Sequence, residues 1–322
     1  MKPIVLGSRG SPLALAQTRA VMGDLKKAWP GRNFEIRVIK TEGDKLSENP
    51  PAGDDLKLGK GLFTAELERA LLASEIDLAV HSLKDLPTTS PAGLMIAAIP
   101  ARGEPWDVLV TKETEPKEAL PEGWVTASGS LRRVLLGPEL RYGAIVATGS
   151  PRRIAQLQLV RPDLQSVPVR GNIDTRLSKL RQNDDWSALV LAAAGLARLK
   201  PNTDGLIVTR MPYTQMLPAP GQGALALQTR MENSVDVRTV VRALHDPVTS
   251  AAVTAERMFL QALGGGCGEP IAAFAELIEG NLLKLEGVAW LIGEEAPRRG
   301  KLTKRLDQAE ALGVDLAVEI SR

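Results

Sequence analysis

Basic and hydroxyl side chains follow several short apolar runs of this sequence, where each predicted strand ends. Ser8, Arg9 and Ser11 follow the run Ile4–Leu6, and His81, Ser82 and Lys84, with the acidic Asp85, follow Ile76–Val80. Ser150, Arg152 and Arg153 follow Ala144–Ala147, and Arg170 follows Val167–Val169. In open α/β sheets, ligands bind beyond the carboxyl ends of the strands. Because guanidinium groups bind carboxylate or phosphate with paired hydrogen bonds, the pattern predicts a site for a small polyanion. Arg176 and Lys179 extend it along one helix face.

Local clustering has to create this site, because the chain as a whole is nearly neutral. Lys and Arg number 40 and Asp and Glu 38, a net charge of +2, so nothing attracts nucleic acid or an acidic membrane surface overall. Aromatic residues make up only 3%, which leaves few platforms for stacked bases. We therefore expect no nucleic-acid partner. Any single arginine is better explained as a solvated surface residue, whereas the whole set favours a binding site.

Asp85 and His81 each have two explanations. Asp85 follows Lys84 directly, and nearby cations would keep it ionised, able to stabilise a developing positive charge or to move a proton. Capping of a turn explains Asp85 at least as well. His81 could act as a general base, but it follows a buried strand and is better interpreted as a core residue that forms a hydrogen bond.

The stretch LGGGCGEP, residues 263–270, contains the only cysteine. One cysteine cannot form an internal disulfide, so we expect a reducing compartment. With only two histidines, far apart in the sequence, it gives no zinc-ligand spacing, so we expect no metal. A free cysteine is usually a small buried apolar residue. The four glycines around Cys267 argue instead for an open loop that a ligand can approach. The run Leu58–Gly61 lacks the Walker spacing, so nucleotide binding is weakly supported.

Strand-like and helical patterns alternate along the chain, which predicts an α/β fold. Predicted strands are Ile4–Leu6, Phe34–Ile39, Ile76–Val80, Leu94–Ile99, Ala144–Ala147, Val167–Val169, Ala188–Leu191 and 224–230. Predicted helices are Leu13–Ala28, capped by Ser11 and Pro12, then Phe63–Ala73, Ile154–Val160, Ile173–Leu180 and Thr249–Leu263. The N-terminal apolar run is too short for a signal peptide, and no run could span a membrane, so we expect a cytoplasmic protein.

The order of these patterns predicts three domains. The chain crosses to a second lobe near 101–107 and returns after 217–223, so the first domain comprises residues 1–103 plus 221–243 and the second residues 106–219. Residues 245–322 form a smaller third domain. Within the second, Val125–Leu136 and Ile145–Gln156 are similar to each other with a period of 20 residues, a local duplication.

Seven motifs in order, spread over nearly the whole chain, resemble the porphobilinogen deaminase (hydroxymethylbilane synthase) family. They are SRGSPLALAQT (8–18), GKGLF (59–63), DLAVHSLKDLP (77–87), RPDL with VRGNIDTRLSKL (169–180), LAAAGLARL (191–199), LPAPGQGALAL (217–227) and VTAERMFLQALGGGC (253–267). The resemblance implies two lobes like those of periplasmic binding proteins around a cleft, and a small α+β third domain that carries the cofactor cysteine. It further implies a transferase that joins four porphobilinogen molecules head to tail with release of ammonia.

The resemblance also implies the roles of individual residues. Cys267 would hold a dipyrromethane cofactor through a thioether, and Asp85 would be the catalytic carboxylate. Cofactor carboxylates would be bound by Lys84, Ser150, Arg152, Arg153 and Arg170, and substrate by Arg9, Ser11, Lys60 and Arg176. The family is mostly monomeric, so we expect a monomer that acts on porphobilinogen.

Three positions depart from the family pattern. Gly264 and Gly268 replace bulkier residues beside Cys267, and Trp106 stands where an arginine is common, which removes a cation near the crossing segments. The duplication also offers two arginine pairs, Arg132/Arg133 and Arg152/Arg153, for one site. We favour Arg152 and Arg153, because they keep the register to Arg170 and Arg176.

Two other functions compete with this interpretation. A two-lobed anion-binding module without catalysis would need neither Cys267 nor Asp85. A hydrolase with a cysteine nucleophile would need a histidine base beside Cys267, and only His81 and His245 are available.

Overall fold

The computed structural model describes residues 2–41, 64–113, 140–232, 235–265, 268–291, 293 and 296–322, and within them the strands form three sheets. Four residues singled out above, Lys60, Arg132, Arg133 and Cys267, lie outside the described residues. The described elements alternate between strand and helix, as predicted for an α/β chain.

The first sheet has five strands in the order β2-β1-β3-β10-β4. Its strands are β1 (Ile4–Arg9), β2 (Phe34–Ile39), β3 (Leu78–Ser82), β4 (Leu94–Ala98) and β10 (Leu225–Arg230). Strands β1, β2 and β3 are parallel, whereas β10 pairs antiparallel with both β3 and β4. The helices around it are α1 (Pro12–Ala28), α2 (Ala65–Leu72) and α6 (Val235–Arg242). Because β10 comes from a later part of the chain, the first lobe is discontinuous in sequence.

The second sheet also has five strands, in the order β7-β6-β8-β5-β9. Its strands are β5 (Asp107–Lys112), β6 (Ile145–Ala147), β7 (Gln165–Val167), β8 (Trp186–Ala192) and β9 (Leu206–Arg210). Its helices are α3 (Pro151–Val160), α4 (Ile173–Gln182) and α5 (Ala193–Leu199). Buried leucine and valine side chains from β5, β6 and β8 form the cores on its two faces. This lobe therefore repeats the architecture of the first.

The third sheet is an antiparallel meander packed against two helices. Its strands are β11 (Ile271–Ile278), β12 (Leu282–Ala289) and β13 (Arg298–Arg305), and its helices are α7 (Pro247–Ala262) and α8 (Ala309–Ser321). Phe259 of α7 is fully buried between them. A Cβ atom at Gly313 would lie 2.3 Å from the Ala255 carbonyl oxygen, so glycine is needed where α8 crosses α7. The two-lobe fold with a small α+β third unit is the predicted fold class.

Two chain segments cross between the lobes side by side. Gly103 N donates a hydrogen bond to the Gly223 carbonyl at 3.1 Å. Gly223 has φ +87°, and a Cβ atom there would lie 2.5 Å from the Gly103 carbonyl oxygen. Only glycine fits both the backbone angle and the close approach. At these two glycines the crossing is therefore a close pair of chain segments with little side-chain bulk.

Trp106 packs between the second lobe and the third unit, next to the crossing. Its ring centroid lies 4.9 Å from that of Phe274 and 5.6 Å from that of Tyr213. The Arg210 guanidinium carbon lies 4.4 Å from the Trp106 ring centroid, and that of Arg102 lies 5.3 Å from the Phe274 ring. Two cations therefore lie near the crossing even though position 106 has lost one.

Trp106→Ala is expected to lower the free energy of unfolding by about 2 kcal/mol, because Trp106 is half-buried and loses its contacts with two rings. Chemical denaturation measures the change. Leu159→Ala, which removes an exposed side chain from α3, is the control and should change stability by less than about 0.5 kcal/mol. Equal losses in the two variants would contradict the packing role of Trp106.

Candidate active site

A cavity of about 830 Å³ lies between the first two sheets. Six of the predicted site residues line it: Arg9, Ser11, Lys84, Asp85, Arg153 and Arg176. Arg9 ends β1, and Lys84 and Asp85 lie in a 3₁₀ turn directly after the neighbouring β3. Arg153 and Arg176 lie near the starts of α3 and α4 in the other lobe. The strand ends of both lobes therefore face one cavity, as the sequence predicted.

Local capping explains why the chain turns into helices at this edge. The Ser11 hydroxyl accepts a hydrogen bond from Ala14 N at 3.3 Å, and Pro12 occupies the first turn of α1. In the opposite lobe, Asn172 is the N-cap residue of α4, and its Oδ1 accepts a hydrogen bond from Thr175 N at 2.9 Å. Residues at the amino ends of both helices line the cavity, and the first turn of a helix has N–H groups without partners inside the helix. Both features suit an anionic ligand.

Two arginines of the second lobe are held by backbone carbonyls at the cavity wall. Arg176 Nε donates to Gly171 O at 2.7 Å, and Arg198 Nη2 donates to Gly223 O at 2.6 Å. Burial lowers the pKa of Arg176, the Arg153 charge lowers it further, and Asp85 partly opposes the shift. Burial also lowers the pKa of Arg198. Both side chains stay positively charged, because an arginine pKa lies far above neutral pH.

A buried ion cluster lies behind this wall. Asp107, at the start of β5, is fully buried and lies 2.8 Å from Arg152 Nη2 and 2.8 Å from Arg153 Nη2. Burial raises the pKa of Asp107, but the two arginine charges outweigh burial and hold it well below its usual range. The Nη1 atoms of both arginines donate to carbonyls: Arg152 Nη1 to Leu217 O at 2.6 Å, and Arg153 Nη1 to Val190 O at 2.8 Å.

Gln222 connects this cluster to the turn that carries Asp85. Its Nε2 donates to Asp107 Oδ1 at 3.0 Å, and its Oε1 accepts from Lys84 Nζ at 3.3 Å. Burial lowers the pKa of Lys84 to about 8, and the Asp85 charge opposes that shift. Lys84 is therefore a cavity cation that can lose its proton just above neutral pH.

The affinity for a carboxylate ligand is expected to fall as pH rises through about 8, because the ligand favours protonated Lys84. For the substrate that the resemblance implies, we expect KM to rise about threefold between pH 7.5 and 9. Lys84→Arg keeps the charge over that range and should give a flat profile, while any titration of the substrate is common to both proteins. The same rise in Lys84→Arg would assign the dependence to another group.

His81 takes no part in the cavity wall. It is buried in β3, and its Nε2 lies 3.0 Å from Gln228 Oε1. Burial lowers the pKa of His81 to about 4, the hydrogen bond to Gln228 opposes the shift, and the Arg9 charge adds to it. His81 is therefore neutral at physiological pH and is held in the core, as the sequence favoured.

Three predicted residues do not line the cavity. Arg152 is buried against Asp107 and Leu217, Arg170 is exposed, and Ser150 is the N-cap residue of α3 without a side-chain capping bond. Their assignment to cofactor binding stays a prediction. Lys60 and Cys267 lie outside the described residues, so their assignments stay predictions as well.

Sequence reasoning missed Arg198, Asp107 and Gln222, which shape the site. Asp107 begins a strand and Arg198 lies inside a helix, so neither follows a strand end. The motifs LAAAGLARL and LPAPGQGALAL contained Arg198 and Gln222, and treating each polar residue in a motif as a candidate would have found them. No pattern in the sequence joins Asp107 to Arg152 and Arg153.

The described part of the chain contains no cluster of three or more His, Cys, Asp or Glu side chains placed to hold a metal ion. Among the same residues, no helix combines the length and apolar character needed to cross a membrane.

The cavity contains donors that fit a dipyrromethane with acidic side chains. Arg153 Nε is buried and has no hydrogen-bond partner among the described residues. Further cations of the described wall include Arg9, Lys84, Arg176 and Arg198. Each pyrrole ring of such a group carries an acetate and a propionate, for which these donors are matched in charge. The residues present therefore fit the group.

Comparison with known proteins identifies the family. The profile described as "Porphobilinogen deaminase, dipyromethane cofactor binding domain" matches residues 4–141 and 135–237, and "Porphobilinogen deaminase, C-terminal domain" matches residues 250–322. The first two matches overlap next to the duplicated segment.

Curated relatives cover nearly all of the chain. A porphobilinogen deaminase from Thermus thermophilus is 42% identical over 99% of this chain and 96% of its own, and one from Moorella thermoacetica is 46% identical over 92% and 87%. Among solved structures, the OxyR2 regulatory domain from Vibrio vulnificus is 12% identical over 76% of this chain and 95% of its own, with a TM-score of 0.39. On its relatives and both profiles, the chain belongs to the porphobilinogen deaminase family.

Proposed function

We infer that this protein is a hydroxymethylbilane synthase, a transferase that joins four porphobilinogen molecules head to tail and releases ammonia at each addition. The inference rests on the cavity between two lobes, whose described wall residues are basic on both sides and include one exposed carboxylate, Asp85. A non-catalytic anion receptor needs the cations but gains nothing from a carboxylate that repels its ligand.

Substrate and product carboxylates would pair with cations from both lobes. Arg9 and Lys84 come from the first lobe, and Arg153 and Arg176 from the second. Because a growing chain gains two carboxylates with each ring, a wall of fixed guanidinium groups keeps its affinity as the ligand lengthens. Where the ligand leaves this wall, we propose that it contacts the exposed Arg170, the N-cap residue Ser150 and also Lys60.

Asp85 is proposed to be the catalytic carboxylate. Loss of ammonia from porphobilinogen leaves a cationic, azafulvene-like methylene, and an ionised carboxylate beside it stabilises the developing charge. The aminomethyl group leaves as ammonia from its protonated form, so no further proton is needed for its departure, and the attacking pyrrole loses a proton from its α-carbon after the new C–C bond forms. Asp85 can accept this proton, because it lies exposed in the cavity beside Lys84.

Cys267 is proposed to hold the dipyrromethane through a thioether. When bound, this group supplies the pyrrole α-carbon on which the first porphobilinogen is added. Helix α7 ends at Ala262, and a Cβ atom at Gly264 or Gly268 would meet no heavy atom within 4 Å, so these two glycines leave room beside the tether. Lys84 and Arg153 would hold the carboxylates of the group and so orient its reactive end toward Asp85.

The hydrolase alternative lacks a base. His81 is buried and pairs with Gln228, and His245 Nδ1 lies 3.3 Å from Ile99 N as a hydrogen-bond acceptor. Both imidazoles are therefore committed to the fold, whereas a cysteine nucleophile needs a free one beside it.

The inference is tested with purified protein and porphobilinogen. We expect four ammonia molecules for each hydroxymethylbilane, and a denatured intact mass above that of the sequence by one dipyrromethane. The extra mass should be absent from Cys267→Ser. Ligand binding without ammonia release and without extra mass would establish the receptor alternative and overturn the enzyme assignment.

We further propose that the protein works as a cytoplasmic monomer and binds no nucleic acid. A single cysteine suits a reducing compartment, and a net charge of +2 gives no general attraction to a polyanion. Light scattering during size-exclusion chromatography measures the oligomeric state, and a mass near 69 kDa, about twice the 34.5 kDa of one chain, would contradict the monomer.

A further inference from the structure

Arg257 of α7 binds the turn that contains Asp85. Its Nη1 donates to Leu83 O at 3.3 Å and to Leu86 O at 3.2 Å, and its Nη2 donates to Pro87 O at 2.6 Å. These carbonyls lie on both sides of Asp85 in sequence. One guanidinium from the third unit therefore closes the ends of a turn in the first lobe.

Apolar packing supports the same contact. Leu83 and Leu86 are buried, and they share a core with Val253, one helical turn before Arg257 on α7. With Leu83 and Leu86 pointing into this core, Asp85 between them is left exposed at the cavity. The 3₁₀ turn forms one hydrogen bond of its own, from Leu86 N to Leu83 O at 3.1 Å, and Leu83 N donates to Ala224 O at 3.0 Å. The carbonyls of Leu86 and Pro87 are bound by the helix behind the turn, so its C-terminal side depends on that helix.

The neighbouring Glu256 fixes α7 against the crossing segments. Its carboxylate is fully buried, accepts 2.7 and 3.0 Å hydrogen bonds from the two Arg102 Nη atoms, and accepts one from Gly221 N at 2.7 Å. Ala275 N on β11 donates to the same carboxylate at 2.9 Å. Two successive residues of α7 thus bind the crossing and the Asp85 turn, so the helix cannot shift relative to one without disturbing the other.

We propose that Arg257 is a positioning residue, which holds the 83–87 turn so that Asp85 stays in register with the end of α7 that leads to Cys267. Cys267 follows Arg257 by ten positions in the sequence. This inference rests on the proposed function. Arg257 touches backbone carbonyls and not the cavity, so it acts through Asp85 and should affect turnover more than substrate affinity.

The test compares Arg257→Gln and Arg257→Lys with the wild type. We expect Arg257→Gln to lower kcat about tenfold, to change KM less than twofold, and to keep the dipyrromethane mass. Amide hydrogen exchange at residues 83–87 should become about tenfold faster. Arg257→Lys restores one charged donor and should recover part of both. Arg238→Gln, an exposed arginine on α6, is the control with the same charge change.

Unchanged kcat and unchanged exchange in Arg257→Gln would overturn the inference, provided that the wild type releases ammonia. A wild type without ammonia release would instead overturn the proposed function, while faster exchange in Arg257→Gln would still support the structural half of the inference. If Arg257→Gln does not fold, Arg257→Lys becomes the test of the inference. A folded lysine variant with the kcat and the amide exchange rates of the wild type would exclude a need for the forked guanidinium and overturn the inference.

Discussion

Asp85→Asn is expected to lower the rate of ammonia release at least about 100-fold, because an amide can neither accept the proton from the attacking pyrrole nor balance the cationic methylene. Positioned proton transfer contributes roughly 10²- to 10⁴-fold in enzymes, and Asp85 is the carboxylate that lines the described cavity. The loss should appear in kcat, with the dipyrromethane mass retained.

The fold should survive this substitution. Asp85 is exposed, and no hydrogen bond or ion pair within 4.0 Å joins its side chain to another described residue. Stability should therefore change by less than about 0.5 kcal/mol. Asp174→Asn on α4 removes an exposed carboxylate outside the cavity wall and is the matched control. Ammonia release at the normal rate by Asp85→Asn would refute the catalytic role, and a large loss in both variants would point to net charge instead.

Local patterns were sufficient to predict most elements of the fold. Ser11 and Pro12 predicted the start of α1, and the structure confirms the cap. The predicted strand Ile76–Val80 is shifted to Leu78–Ser82, because Ile76 fills the space above Gly7 instead of pairing in the sheet. In the second lobe, the predicted strand over 167–169 ends at Val167, since Pro168 has no N–H to continue the ladder.

The cations of the cavity were predictable because strand ends of one sheet converge, and that rule needs only the strand pattern. Contacts between residues far apart in the sequence were not predictable. Asp107 and Arg153 are 46 residues apart, and Arg257 is about 170 residues from the carbonyls that it binds. Such contacts depend on how whole units pack, which no local periodicity encodes. The same limit explains why the sequence could not separate Arg153, which faces the cavity, from Arg152, which does not.

The two arginine pairs of the duplication should respond differently to replacement. Arg152→Ala with Arg153→Ala is expected to lower the free energy of unfolding by about 3 kcal/mol, because fully buried Asp107 loses both charged partners. Porphobilinogen consumption should fall at least about 100-fold, since Arg153 also forms part of the cavity wall. The matched double alanine substitution at Arg132 and Arg133 should change porphobilinogen consumption by less than about twofold and the free energy of unfolding by less than about 0.5 kcal/mol.

Single substitutions separate the two roles in the Asp107 cluster. Arg152 gives its donors to Asp107 and Leu217, so Arg152→Gln should mainly lower stability, which denaturation measures. Arg153 binds Asp107 with one nitrogen and keeps a buried, unpaired Nε, so Arg153→Gln should also raise the KM for porphobilinogen. Loss of consumption only in the Arg132 and Arg133 variant would reverse the choice of pair. In that case the buried cluster would be a purely structural one, and the anion-binding arginines would come from the first copy of the duplication.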